Sequence, residues 1–258
     1  MWVREMTLTI TALPGMPSVR PGDDLAALLI AAIERSAVTP QAGDIVVVAQ
    51  KIVSKAEGRY LDLTQLEPSP RAIELAAVTR KDPRLVEAIL SQSVEVVRAK
   101  PNVLIVATRH GLILANAGID QSNLDAEHRG RRVLLLPEEP DRSAALLRDS
   151  ICARFAAGIG VVISDSVGRA WRLGTVGLAI GAAGVPSLWD RRGEKDLSGR
   201  PLEVTEVGLA DAVASAAVLA MGEAAEGCPA ALVRGLDCAA AERPAAALVR
   251  PKTEDLFR

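Results

Sequence analysis

The chain has 258 residues, 49% of them apolar and 24% charged, with a formal charge of −2. That charge provides no electrostatic footprint for nucleic acid, and aromatics at 2% leave no stacking platforms for bases. Three cysteines without CxxC spacing suggest neither a disulfide frame nor a zinc site. The length suffices for a substantial core, built here from Ala, Val, Leu and Ile. Met1 to Met6 lack the apolar region of a secretory leader, and no charge-free apolar run is long enough to span a bilayer. A cytoplasmic protein without membrane partners is expected. No repeat or linker divides residues 1–258, so they are read as one unit, either a single domain or two interlaced lobes.

In chain order, Thr7 to Ile10 alternate as a half-buried strand would, and Pro14-Gly15-Met16-Pro17 turns the chain. Asp23 or Asp24 can cap a helix with Leu25, Leu28, Leu29, Ala32 and Ile33 on one face. Ile45 to Ala49 reads as a strand buried on both sides, running into Gln50 and the lysines Lys51 and Lys55. Ammonium groups there suit an anion as point charges, although a solvated strand end is the plain alternative. No P-loop pattern occurs. Two helical pieces, Arg71 to Val78 and Pro83 to Leu90, flank the Lys81-Asp82-Pro83 break. Val103 to Ala107 and Leu112 to Ala115 suggest a hairpin with His110 at its turn, a position favouring a non-catalytic role.

That hairpin leads to Asp120 among small residues and carboxamides, and Leu134 to Leu136 suggests a short strand. Ser143 is the expected cap of a helix from Ala144 to about Ala157, with Gly158 ending it. Val161 to Ile163 is a short apolar run that stops at Ser164, Asp165, Ser166 and Gly168, followed by two arginines. This predicts a buried strand delivering polar groups to a cleft. Gly177 to Val185 is apolar and glycine-rich without being GxGxxG, which points to tight packing. Residues 189–200 form a charged loop, either solvated or a lid; Glu206 to Met221 is an Ala-rich helix, and Ala230 to Val233 a final strand.

Asp120, Asp165 and Glu223 each follow an apolar element, with lysines and arginines nearby. Two histidines and no GxSxG elbow disfavour a Ser-His-Asp triad. Carboxylates with cationic side chains instead suit metal-assisted phosphoryl transfer. A metal-dependent kinase or phosphatase, or a non-catalytic nucleotide binder, shares those features.

Seven segments carry a more specific likeness: GMP with GDDL, KIVSKAEGR, NAGIDQSN, VVISDSVGRAWRLG, VGLAIGAAG, GEKDLSGR and MGEAAEGCPAALVRGL. In this order the chain resembles the coenzyme F420-0:gamma-glutamyl ligases from about Leu13 to Leu236. The resemblance implies a mixed α/β (α+β) fold of that ligase type and an intertwined homodimer. It also implies GTP-dependent addition of L-glutamate to the deazaflavin F420-0 through an acyl phosphate. Mg or Mn ions are implied, with room for a monovalent cation. By the same resemblance Asp120, Asp165, Ser166 and Glu223 are metal ligands, and Asp120, Asp165 and Lys55 are catalytic. GTP would be lined by Pro14, Gly15, Met16, Pro17, Gln50, Lys51, Lys55 and Asn123. The segment Met221, Gly222, Glu223, Ala224, Ala225, Glu226, Gly227 and Cys228 would complete its surroundings. Ser166 replaces a threonine of some relatives and keeps the hydroxyl, while Gln50 and Lys51 stand where some relatives have Ser and Thr.

Overall fold

In the computed structural model, which describes residues 7–122, 130–238 and 240–255, the chain begins with strand β1 (Thr9–Ala12) and helix α1 (Leu25–Arg35). Strand β2 (Ile45–Ala49) runs directly into helix α2 (Gln50–Ala56), and β3 (Tyr60–Asp62) follows. Helices α3 (Pro70–Thr79) and α4 (Pro83–Ser91) precede strands β4 (Ser93–Lys100), β5 (Val103–Thr108) and β6 (Ile113–Ala115). Then come β7 (Arg132–Leu134), helix α5 (Pro140–Phe155), and the long hairpin β8 (Gly160–Arg169) and β9 (Arg172–Ala183). The last elements are β10 (Leu188–Asp190), β11 (Glu206–Gly208), helix α6 (Leu209–Met221) and β12 (Ala230–Arg234). No helix among the described residues is long and apolar enough to cross a membrane.

The central sheet has the order β1-β12-β2-β8-β9, in which only β2 and β8 are parallel. The fold is thus mixed α/β, as expected. Alternation along β2 explains its layering: Val46 and Val48 face one apolar cluster with α1 and α5, and Ile45 and Val47 face another with α6. Both faces are therefore covered, which is why the strand is an unbroken apolar run. A third cluster lies beneath α3 and α4 against β5.

Helix α1 starts where Asp24 accepts from the Ala27 backbone N–H, resolving the choice between two possible caps. Helix α5 starts earlier than expected. Pro140 occupies its first turn, where a missing N–H does no harm, and Ser143 lies inside the helix with its hydroxyl donating to Glu57. Its end is set by Ala156 in the left-handed conformation rather than by Gly158. Strand β1 sits two residues later than the alternation suggests and β7 two residues earlier. The segment expected to be one helix from Glu206 divides into β11 and α6, and β11 pairs with β10 to close the base of the charged loop.

Strand β9 is an edge, and edges need protection from further pairing. The Ala179 N–H donates to Asp211, the Ala182 N–H donates to Asp141, and the Gly177 carbonyl accepts from Ser215. Glycines let two helices approach closely enough for these bonds. A Cβ on Gly177 would lie 2.5 Å from the Ala214 carbonyl oxygen of α6, and one on Gly181 would strike the Pro140 carbonyl of α5. The glycine-rich run is therefore packing chemistry within one chain. Gly181→Ala should destabilise the fold by about 2 kcal/mol or more, because helix backbone must move aside. Gly158→Ala, with open space around its Cβ, is the control; equal denaturation midpoints for the two would refute the packing account.

At the opposite end of β2 and β12, Arg234 reaches Asp44, which is 1% exposed. Its Nε donates to Oδ1 at 2.8 Å and its Nη2 to Oδ2 at 2.6 Å. The Gln41 N–H also donates to Asp44, so the buried carboxylate is fully engaged where the sheet begins.

Candidate active site

The register of the sheet gathers distant segments at one end. Ala49 at the close of β2 pairs with Ser164, Ala230 at the start of β12 pairs with Val48, and Ala12 at the end of β1 pairs with Ala231. The residues that follow or precede those points are Pro14 to Pro17, Gln50 and Lys51, Asp165 and Ser166, and Met221 to Cys228. Segments from the two ends of the chain, Pro14 to Pro17 and Met221 to Cys228, thus share one rim. Gly15 has φ +77°, a conformation that favours glycine, and its carbonyl accepts from Arg35.

Strand β8 differs from the expectation at this rim. It does not stop after Ile163 but continues to Arg169, paired with β9 throughout, with a register shift between Ile163 and Ser164. Val161 and Ile163 lie in the cluster with α1 and α5, whereas Val162 faces the cluster with α6. The shift marks the change from buried strand to exposed hairpin, and Asp165 lies just past it, half-buried.

Asp120 enters through a single bridge to Leu134, with backbone hydrogen bonds in both directions. Its Oδ1 accepts from the Ser122 N–H at 2.6 Å and the Ser122 hydroxyl at 2.8 Å. Its Oδ2 lies 2.8 Å from Lys51 Nζ, which also donates to Ser122 Oγ at 2.9 Å. Burial pushes the Asp120 carboxyl up, but the Lys51 ammonium and the Ser122 donors outweigh it and hold the group below its ordinary range. Asp165 behaves oppositely. Burial is the main cause that pushes it up to about 7, opposed by the Ser166 N–H and Lys51 and reinforced by the charges of Asp120 and Glu223. Ser166 Oγ donates to Glu223 Oε1 at 2.8 Å.

Asp120, Asp165 and Glu223 therefore share one electrostatic neighbourhood. Among the described residues, however, no three acidic, histidine or cysteine side chains are placed to enclose an ion as they stand. The expected metal cage is not pre-assembled, because Lys51 and Ser122 engage Asp120 while Ser166 engages Glu223. The donor set nevertheless fits a hard divalent cation: it is all oxygen, and such an ion would offset both the burial and the neighbouring acid charges that push Asp165 up.

Other expected contacts vary in placement. Lys55 lies one helical turn beyond Lys51, on the same face of α2. Gln50 is buried, with its side-chain oxygen accepting from Ser54, so it faces the interior. Gly222 to Gly227 are exposed, with Glu226 accepting from the Ala224 N–H. Asn123 falls outside the described residues. His110 sits in the β5–β6 turn, hydrogen bonded to the Glu138 carbonyl at 3.0 Å. Ser122 was not singled out from sequence, and its signal is the short spacing from Asp120, which permits a local side-chain-to-backbone turn.

The sequence model described as F420-0:Gamma-glutamyl ligase matches residues 15–235. A coenzyme F420:L-glutamate ligase of Methanothermobacter thermautotrophicus is 43% identical, covering 98% of this chain and 100% of the relative. One from Methanopyrus kandleri is 46% identical over 98% of each chain, and one from Methanocaldococcus jannaschii 46% identical over 84% and 85%. The matched span contains every element of the rim except the start of its first turn, and the chain belongs to the F420-0:gamma-glutamyl ligase family.

Proposed function

We propose that the protein is a GTP-dependent ligase that joins L-glutamate to the carboxylate of coenzyme F420-0 through a gamma-glutamyl-type amide. The observation that carries this reading is the gathering of Asp120, Asp165, Ser166 and Glu223 with Lys51 at one sheet end, in a chain of this family. A bare carboxylate resists amine attack because oxide is a poor leaving group. Transfer of the GTP gamma-phosphoryl group to that carboxylate oxygen gives GDP and an acyl phosphate. The glutamate amine then attacks the acyl carbon, loses a proton, and inorganic phosphate departs.

In this scheme Lys51 and Lys55 attract phosphate oxygens from the first turns of α2. Asp120, Asp165, Ser166 and Glu223 would hold Mg or Mn, which when bound supplies neutralisation of phosphate charge. The exposed glycine-bearing segments at Gly15 and Gly222 to Gly227 let backbone come close to the nucleotide. GDP release should require both glutamate and the F420-0 acceptor. Release that is equally fast without either would replace this reading with a phosphatase. Lys55→Ala should weaken GTP binding about tenfold while leaving the melting temperature nearly unchanged. Unaltered affinity by calorimetry would remove Lys55 from the nucleotide site.

The same reading includes a homodimer. The small-residue segments 177–185 and 207–222, apolar enough to pack across subunits, pack on one another within the chain. Support comes instead from Trp171 and Leu173 at the β8–β9 tip, 91% and 96% exposed, and from Leu197 and Val204 on the charged loop. Light scattering at micromolar concentration should give twice the chain mass, and Trp171→Asp with Leu173→Asp should reduce it. A monomer before substitution would contradict the assembly.

A further inference from the structure

The Lys51 ammonium is bonded to the acid cluster, and it occupies a position an ion would contest. Its Nζ lies 2.8 Å from Asp120 Oδ2, and it also holds Ser122, which in turn saturates Asp120 Oδ1. Both oxygens of Asp120 are thus engaged, and a cation arriving at Oδ2 meets the like charge of the Lys51 ammonium 2.8 Å away. Ser122 is tied to Asp120 through local backbone two residues away, whereas Lys51 comes from a distant segment, 71 residues from Ser122, on a flexible stem. Lys51 is therefore the partner able to move. Its helix begins where β2 meets β8, so a swing carries the ammonium along the rim where the nucleotide phosphates are proposed to lie.

We propose that Lys51 is a tethered stand-in cation: it neutralises Asp120 while the ion is absent and exchanges onto nucleotide phosphate when the ion arrives. This rests on the functional reading given above and adds an order to it. Ion and phosphate then bind cooperatively, because each provides the partner that the other displaces. An ion alone must compete with the ammonium, and GTP alone must draw Lys51 from Asp120 and leave an exposed cluster of acids.

The test is Mn²⁺ binding, followed by paramagnetic resonance of free Mn²⁺, with and without GTP, in the wild type, Lys51→Met and Lys51→Arg. Without GTP, Lys51→Met should bind Mn²⁺ about tenfold tighter, because a competing charge is gone. With GTP, the enhancement of Mn²⁺ affinity by nucleotide should shrink about tenfold in the same variant, and Lys51→Arg should retain most of it. Mn²⁺ should also raise the melting temperature of Lys51→Met more than that of the wild type, which checks that the variant is folded. Weaker or unchanged Mn²⁺ binding in folded Lys51→Met overturns the exchange while leaving the ion site standing. Failure of the wild type and Lys51→Met to bind Mn²⁺ with or without GTP overturns both the exchange and the functional reading beneath it.

Discussion

Asp165→Asn should lose about a hundredfold to a thousandfold in ligation rate and yet be more stable than the wild type in chelator at pH 8. The carboxyl is pushed up to about 7 in the folded chain from an ordinary 3.8, chiefly by burial. Between those values the unfolded chain has released this proton and the folded chain retains it. Folded protein thus binds more protons, and the group's contribution falls as pH rises from about 4 to about 7, then levels off. Asparagine has no charge to bury. Its advantage should grow across that window to about 2 kcal/mol, discounted from the full linkage value because water reaches part of the side chain. Saturating Mn²⁺ should reverse the ranking by stabilising the wild type selectively. Denaturation curves at pH 5 and 8 with chelator check the sign. An Asp165→Asn protein with normal turnover, or one no more stable at pH 8, would remove Asp165 from the centre of the site.

The largest stability loss should come from the far end of the sheet. Arg234→Met removes both guanidinium donors from Asp44 and leaves a carboxylate that is 1% exposed with the Gln41 backbone N–H as its remaining hydrogen-bond donor among the described residues. Breaking one side of a buried pair typically costs about 3–5 kcal/mol, far more than an exposed ion pair would. The double change Asp44→Asn with Arg234→Met should recover part of the loss, since the stranded charge is gone. Arg84→Met, which breaks the exposed pair with Asp82, should shift stability by under about 1 kcal/mol. Equal losses for Arg234→Met and Arg84→Met in urea denaturation would show that burial does not govern the Asp44 pair.

Elements that bury a regular face are legible in the sequence. Ile45 to Ala49 is an uninterrupted apolar run because both its faces are covered, and α1 shows its buried stripe at Leu25, Leu29, Ala32 and Ile33. The two helices around the Lys81-Asp82-Pro83 break are legible through proline and cap chemistry. Strand β4 is not, because most of it is only half-buried and Val94 is 71% exposed, so its pairing leaves no apolar signature. The outer half of the β8–β9 hairpin is hidden for the same reason: backbone pairing persists from Ser166 to Thr175 after burial has ended. Ser143 misleads because proline at a helix start competes successfully with a serine cap.

Within the site, residue types and their positions after apolar runs single out Asp120, Asp165 and Glu223, and the sheet register places their segments together. The attachment of Lys51 to Asp120 and, across 71 residues, to Ser122 is a contact that no local pattern encodes. The Ser166–Glu223 bond, across 57 residues, is of the same kind. Such contacts follow from topology, and so does the engagement of carboxylate oxygens that a preformed metal cage would need free.

Mass spectrometry of the protein incubated with GTP, glutamate, Mg or Mn and coenzyme F420-0 tests the central proposal most directly. The acceptor should become heavier by one or more glutamate residues, with one GDP and one phosphate released per amide formed and no product when either GTP or glutamate is omitted. A folded preparation that hydrolyses GTP while the acceptor mass stays unchanged would contradict it.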